Sequence, residues 1–191
     1  MLMIDKMNDV VEYWFGTTED GAHVEPQVFW FKSTPELDEE IRLKFLDLHD
    51  EALSGTFDGM VQTSNDYLAI IILFDQLPRN MFRNTSRAFA TDENARIWTR
   101  KAIENGIDTS QSSVHRQSFF YLPLEHSEDL NDQNESVQLF KTLGYDNYTR
   151  YAVAHRDVIA SFGRFTHRNK ILGRESTPEE IEYLSKPGAR F

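Results

Sequence analysis

The chain has 191 residues, no cysteine and a formal net charge of −11. The missing cysteines exclude a disulfide framework, thiolate catalysis and every cysteine-ligated zinc or iron–sulfur site, and the acidic balance argues against a general nucleic-acid binder. With 14 Phe, 7 Tyr and 3 Trp, it carries too many bulky anchors for a disordered segment and enough to fill a core without metal or crosslink.

Met7, Val10, Val11 and Trp14 recur at i, i+3, i+4, i+7, the spacing of an amphipathic helix, with Gly16 placed to stop it. The N-terminus carries no basic stretch, long apolar run or cleavage-like site, so no signal peptide is expected and the cytoplasm is the expected compartment. Thr34-Pro35-Glu36 is a start signal, with an N-cap hydroxyl, a proline at the first helical position and an acid facing the dipole. Leu37, Ile41, Phe45, Leu48 and Ala52 then form one stripe, which Gly55 ends.

Tyr67 to Phe74 is apolar all round, which reads as a helix at the centre of a bundle. It is too short to cross a membrane, and Pro78 is expected to end it. Thr91 can cap a further helix with Ala95, Trp98 and Ala102 inward and Gly106 after it; Ser112 or Ser113 opens a Phe-rich helix that Pro123 should kink or break. Leu130, Val137, Phe140 and Leu143 define the next helix, closed by Gly144. Tyr151, His155, Val158, Ile159 and Phe162 define another, stopped by Gly163, with a histidine inside its apolar stripe. Thr177-Pro178-Glu179-Glu180 is a capping box with proline at N1, opening a last helix with Ile181 and Leu184 before Pro187. The expectation is one all-α domain over residues 1–191, an array of seven or eight antiparallel helices.

Charge is unevenly spread. Arg150 to Arg174 holds six Lys/Arg against one acid, and Gln76 to Thr91 holds three Arg and no acid. Arg79, Asn80 and Arg83 follow one helix; Arg164, His167, Arg168, Asn169 and Arg174 follow another. Guanidinium forks, imidazoles and amide donors are what a bound phosphate or carboxylate requires, so these residues are the expected lining of an anion pocket. The bland alternative pairs the arginines with Asp75, Glu125, Glu128, Asp129 and Asp132 to tie helices together. Glu125 and His126, with His155, are the expected acid–base group, since a carboxylate beside an imidazole can orient it as a general base. No HExxH or paired-histidine spacing points to a metal, no glycine-rich phosphate loop or nucleophile elbow is present, and no cofactor is expected. His23 and His49 have no partner in sequence and carry no functional expectation.

The strings Leu73-Phe74-Asp75-Gln76-Leu77-Pro78-Arg79-Asn80-Met81-Phe82-Arg83, Phe119-Phe120-Tyr121-Leu122-Pro123-Leu124-Glu125-His126-Ser127-Glu128 and Gly163-Arg164-Phe165-Thr166-His167-Arg168-Asn169 resemble the family catalogued as domain of unknown function 924. The resemblance runs from Trp14-Phe15 to Phe191 and departs from the usual pattern at Ser161 and Thr166. It implies a tetratricopeptide-like helical fold and no established activity. Two partners follow as expectations: a small anionic ligand, with or without catalysis, between the Arg79 to Arg83 segment and the Arg164 to Asn169 loop, or, by analogy of fold, a peptide or protein held in a groove.

Overall fold

The computed structural model describes residues 3–16, 24–111 and 113–189; Ser112, one of the two expected helix starts, and His23 lie outside them. Among the described residues the architecture is all helical, with eight α-helices and four short 3-10 turns. The helices are α1 (Met3–Phe15), α2 (Pro35–Leu53), α3 (Ser64–Met81), α4 (Asp92–Glu104), α5 (Val114–Glu125), α6 (Leu130–Thr142), α7 (Asp146–Phe162) and α8 (Pro178–Leu184). None is long and apolar enough to cross a membrane. The chain divides into two compact units, Met1–Arg83 with Arg87–Pro123, and Asn84–Ser86 with Leu124–Phe191.

The first unit is built around α3, against which α1, α2 and α4 pack. Every side chain from Leu68 to Pro78 is buried, which is the all-round burial that the run predicts. The helix starts earlier than that run, because Thr63 and Asp66 form a capping box: Thr63 Oγ1 accepts from the Asp66 N–H at 3.2 Å and Asp66 Oδ2 from the Thr63 N–H at 2.8 Å. It also ends later than expected. Pro78 cannot donate to the Phe74 carbonyl, yet the helix runs on to Met81. Thr91 Oγ1 donates to that carbonyl at 2.7 Å in place of the missing N–H. Thr91 therefore makes no side-chain cap on α4, the role its position suggests.

An aromatic cluster fills the rest of this core. Phe119 stands edge-on to Trp14, Phe15 and Trp30, with ring centroids at 5.9, 5.2 and 4.8 Å, and Trp30 Nε1 donates to the Trp14 carbonyl at 2.8 Å. α5 passes through Pro123 to Glu125 without a break, since only the final turn loses an N–H there.

The second unit holds the α6–α7 helical hairpin, joined through Leu143-Gly144-Tyr145, followed by a 3-10 turn (Thr166–Arg168) and α8. Asp129 caps α6 by accepting from the Asn131 N–H at 2.7 Å, and α7 ends on Gly163 in the left-handed conformation, φ +68°. Val158, Ile159 and Phe165 form its apolar cluster, with Phe162 and Tyr183 packed against it. The Thr177–Glu180 capping box that opens α8 is present as the sequence predicts.

Candidate functional site

The two basic strings fall in different units. In the first, Arg79 is held by Asp75, through its backbone carbonyl and through a carboxylate oxygen at 3.2 Å, and by both oxygens of Asp92 at 3.0 and 3.2 Å. Burial works against the charge, but the two carboxylates overcome it and raise the Arg79 pKa. Asn80 Nδ2 donates to Ser33 Oγ at 3.0 Å and Asp38 Oδ1 at 2.8 Å, and Arg83 closes the group with a fork onto Asp38. Arg79, Asn80 and Arg83 thus meet carboxylates of α2, α3 and α4, a network of the kind that ties helices together.

In the second unit, the outer part of the string is similarly matched. Arg164 reaches Glu180 through two bonds of 2.7 and 2.9 Å, and Asn169 Nδ2 donates to Ser176 Oγ and Glu180 Oε2 at 3.0 and 3.1 Å. The Arg164 guanidinium holds the Glu180 carboxyl down at about 2. Arg174 grips both oxygens of Glu128 at 2.7 and 3.0 Å, and Glu128 also accepts the Phe165 N–H at 2.8 Å. Glu128, from the 125–135 run, thus meets a basic-string arginine.

The remaining residues gather differently. His155 points its Nδ1 at two acceptors, the Tyr151 carbonyl at 2.8 Å and Glu125 Oε1 at 3.0 Å. A carbonyl can only accept, so Nδ1 carries the proton and Nε2 presents the lone pair. Both side chains are buried, 8% and 5% exposed. A carboxylate so close would ordinarily favour imidazolium, yet burial, and after it the positive field of His126, Arg168 and His167, pushes the His155 pKa down to about 3. Burial decides the balance, and His155 is neutral at physiological pH.

Phe165 is the hub of this cluster. Its ring lies 5.7 Å from that of His155, edge-on, and 5.7 Å from that of His167, with the Arg168 guanidinium 4.4 Å above it. The His126 ring stands 6.3 Å from that of His155. Glu125 is thus placed to orient His155. Arg168 is buried at 6% exposure, and its charge also helps hold the Glu128 carboxyl low.

Sequence reasoning passes over one further residue. Gln133, fully buried in α6, donates both Nε2 hydrogens, to the Glu125 carbonyl at 2.6 Å and the Ser127 carbonyl at 2.7 Å. It fixes the backbone that carries Glu125. A glutamine inside an acidic run gives no charge or spacing signal to find it by. No group of His, Asp and Glu among the described residues is arranged to hold a metal ion. His49 is packed against Phe74 and Phe82, with Asp50 Oδ1 3.0 Å from its Nδ1.

A family model described as bacterial protein of unknown function (DUF924) matches residues 10–188. A solved structure of a protein of unknown function from Agrobacterium tumefaciens is similar at 37% identity, covering 96% of this chain and 98% of that one with a TM-score of 0.85. No curated protein matches.

Proposed function

The chain belongs to the DUF924 family of bacterial proteins, whose description names no activity, and from its site chemistry we propose that it binds a small phosphate- or carboxylate-bearing ligand beside His126, His167 and Arg168. The observation that carries this reading is the buried Glu125–His155 pair, 3.0 Å apart, beside His126, Arg168 and His167, whose positive field adds to burial in keeping the imidazole neutral. An arranged cluster of cationic and imidazole groups costs self-repulsion that an anion relieves.

Catalysis follows only conditionally. An imidazole with a pKa about 3 is a poor proton acceptor near neutrality, because general bases work best when their pKa lies near the working pH. A bound anion would offset the His126, Arg168 and His167 field and raise the His155 pKa toward the useful range. Ligand binding would in that way arm Nε2 as a base, with Glu125 holding the proton on Nδ1. Arg79, Asn80, Arg83, Arg164 and Asn169 take a structural role in this reading, tying elements together through Asp92, Asp38 and Glu180.

The experiment is a histidine NMR titration of wild type, Arg168→Gln and Arg83→Gln proteins with and without inorganic phosphate. Phosphate should raise the His155 pKa in wild type and Arg83→Gln, and leave it unmoved in Arg168→Gln. A His155 resonance indifferent to phosphate in all three proteins overturns the proposal.

A further inference from the structure

Arg116 stands in the first turn of α5, where a cation opposes the helix dipole, and it is 7% exposed. Its Nε donates to Gln111 Oε1 at 2.7 Å and its Nη2 to Asn65 Oδ1. Both acceptors are neutral carboxamides. The ring of Phe15, 5.0 Å from Cζ, supplies a further favourable contact. Among the described residues no carboxylate pairs with Arg116, whereas Arg79, Arg164 and Arg174 each have one within 3.2 Å. A buried charge normally persists only when it is paired, because the desolvation penalty is several kcal/mol per ion, on the order of the stability of a domain.

The surroundings sharpen the anomaly. Amide oxygens take one bond each from Nε and Nη2, and Nη1 has no acceptor among the described residues, which leaves N–H hydrogens at the Nη1–Nη2 fork. That fork is the end-on geometry that receives a carboxylate or phosphoryl group through two parallel bonds. Asn65 and Ser64 are the first residues of α3, whose N-terminal N–H groups point outward for lack of intrahelical acceptors. Gln111 Nε2 donates to Ser64 Oγ, which leaves the Ser64 hydroxyl hydrogen to be donated elsewhere. The acid of that turn, Asp66, is turned back onto the N–H groups of Gln62 and Thr63 at 3.2 and 2.8 Å.

We propose that Arg116, Ser64, Asn65 and the start of α3 form an oxyanion-binding site in the first unit, taking a carboxylate or phosphate end-on at the Arg116 fork. It stands independently of the His155 cluster, with which it shares no residue.

The test is the thermal midpoint in chloride buffer, with and without millimolar inorganic phosphate or succinate, for wild type, Arg116→Gln, Asn65→Asp and Arg168→Gln. A ligand that binds the native state alone raises the midpoint, so one or both anions should lift wild type and Arg168→Gln by several degrees, phosphate or succinate identifying which oxyanion the fork prefers. Arg116→Gln should lose the share of the shift that Arg168→Gln keeps. Asn65→Asp places a carboxylate at Nη2, so it should melt higher than wild type in chloride and also lose that share; it decides the matter alone if Arg116→Gln fails to fold. Equal shifts in wild type, Arg116→Gln and Asn65→Asp overturn the site, as does no shift in wild type with either anion. A response lost in Arg168→Gln but kept in both first-unit variants also overturns it, and leaves the His155 reading standing.

Discussion

The hydroxyl of Thr91 sits 2.7 Å from the carbonyl of Phe74, the acceptor that Pro78 leaves open. This bond explains how a proline lies inside the last turn of the most buried helix without ending it. Thr91→Val keeps the shape and removes the donor, stranding a buried carbonyl, so it should cost about 1–3 kcal/mol. In a Pro78→Ala background the restored N–H takes that acceptor, and the same change should cost under about 0.5 kcal/mol, a coupling of the size neighbouring sites show. A double-mutant cycle by denaturant melts reads it directly. Additive costs would mean that the hydroxyl is not replacing the proline's N–H.

Arg79 and Arg83 differ in burial, and that difference should appear in stability. Arg79→Ala leaves Asp75 and Asp92 buried without their counter-charge, a loss of about 3–5 kcal/mol. Arg83, with its side chain 46% exposed beside Asp38, should cost no more than about 1 kcal/mol on the same change. Urea melts that rank them the other way would remove Arg79 from the scaffold.

The low pKa of His155 makes stability pH-dependent with a definite sign. The folded value, about 3, lies below the unfolded one near 6.5, so the unfolded chain binds the proton more readily. The contribution is complete above about pH 6.5 and is lost as the pH falls toward 3. Replacing His155 with Gln removes it, so the wild-type and variant stabilities should converge as pH drops through this window. Parallel curves from pH 7 to 4 would contradict a buried neutral imidazole.

Glu128 accepts the Phe165 N–H and both arms of Arg174, which fixes the loop ahead of His167 and Arg168. Burial pushes its carboxyl up, but Arg174, the Phe165 amide and Arg168 hold it below the usual range. Glu128→Gln should therefore speed hydrogen exchange at Phe165 before it affects the helices. Unchanged protection there would show that the loop is held by other means.

Much of this fold is legible in the sequence where the signals are local. Thr34-Pro35-Glu36 and Thr177-Pro178-Glu179-Glu180 open α2 and α8 because each cap is complete within a few residues. Pro78 and Pro123 mislead because whether a proline stops a helix depends on who satisfies the carbonyl four residues back, and Thr91 is distant in sequence. The arginine strings stand out by charge, and two of the expected partners, Asp75 and Glu128, do meet Arg79 and Arg174, but Asp38, Asp92 and Glu180 lie outside the acidic 125–135 run. Pairing depends on which helix faces come together, and spacing along the chain does not carry that. For Arg116 a local signal exists: a cation three residues after Ser113, at the wrong end of a helix dipole.

Gln133 gives its amide hydrogens to two backbone carbonyls and so fixes where Glu125 stands. Exchanging its amide nitrogen for oxygen, as Gln133→Glu does, changes neither volume nor shape, and turns two donated bonds into two facing lone pairs against the Glu125 and Ser127 carbonyls. The hydrogen-bonding identity of one atom in α6 thus governs the alignment of an imidazole in α7, and steric tolerance is no guide to which residues this site can spare.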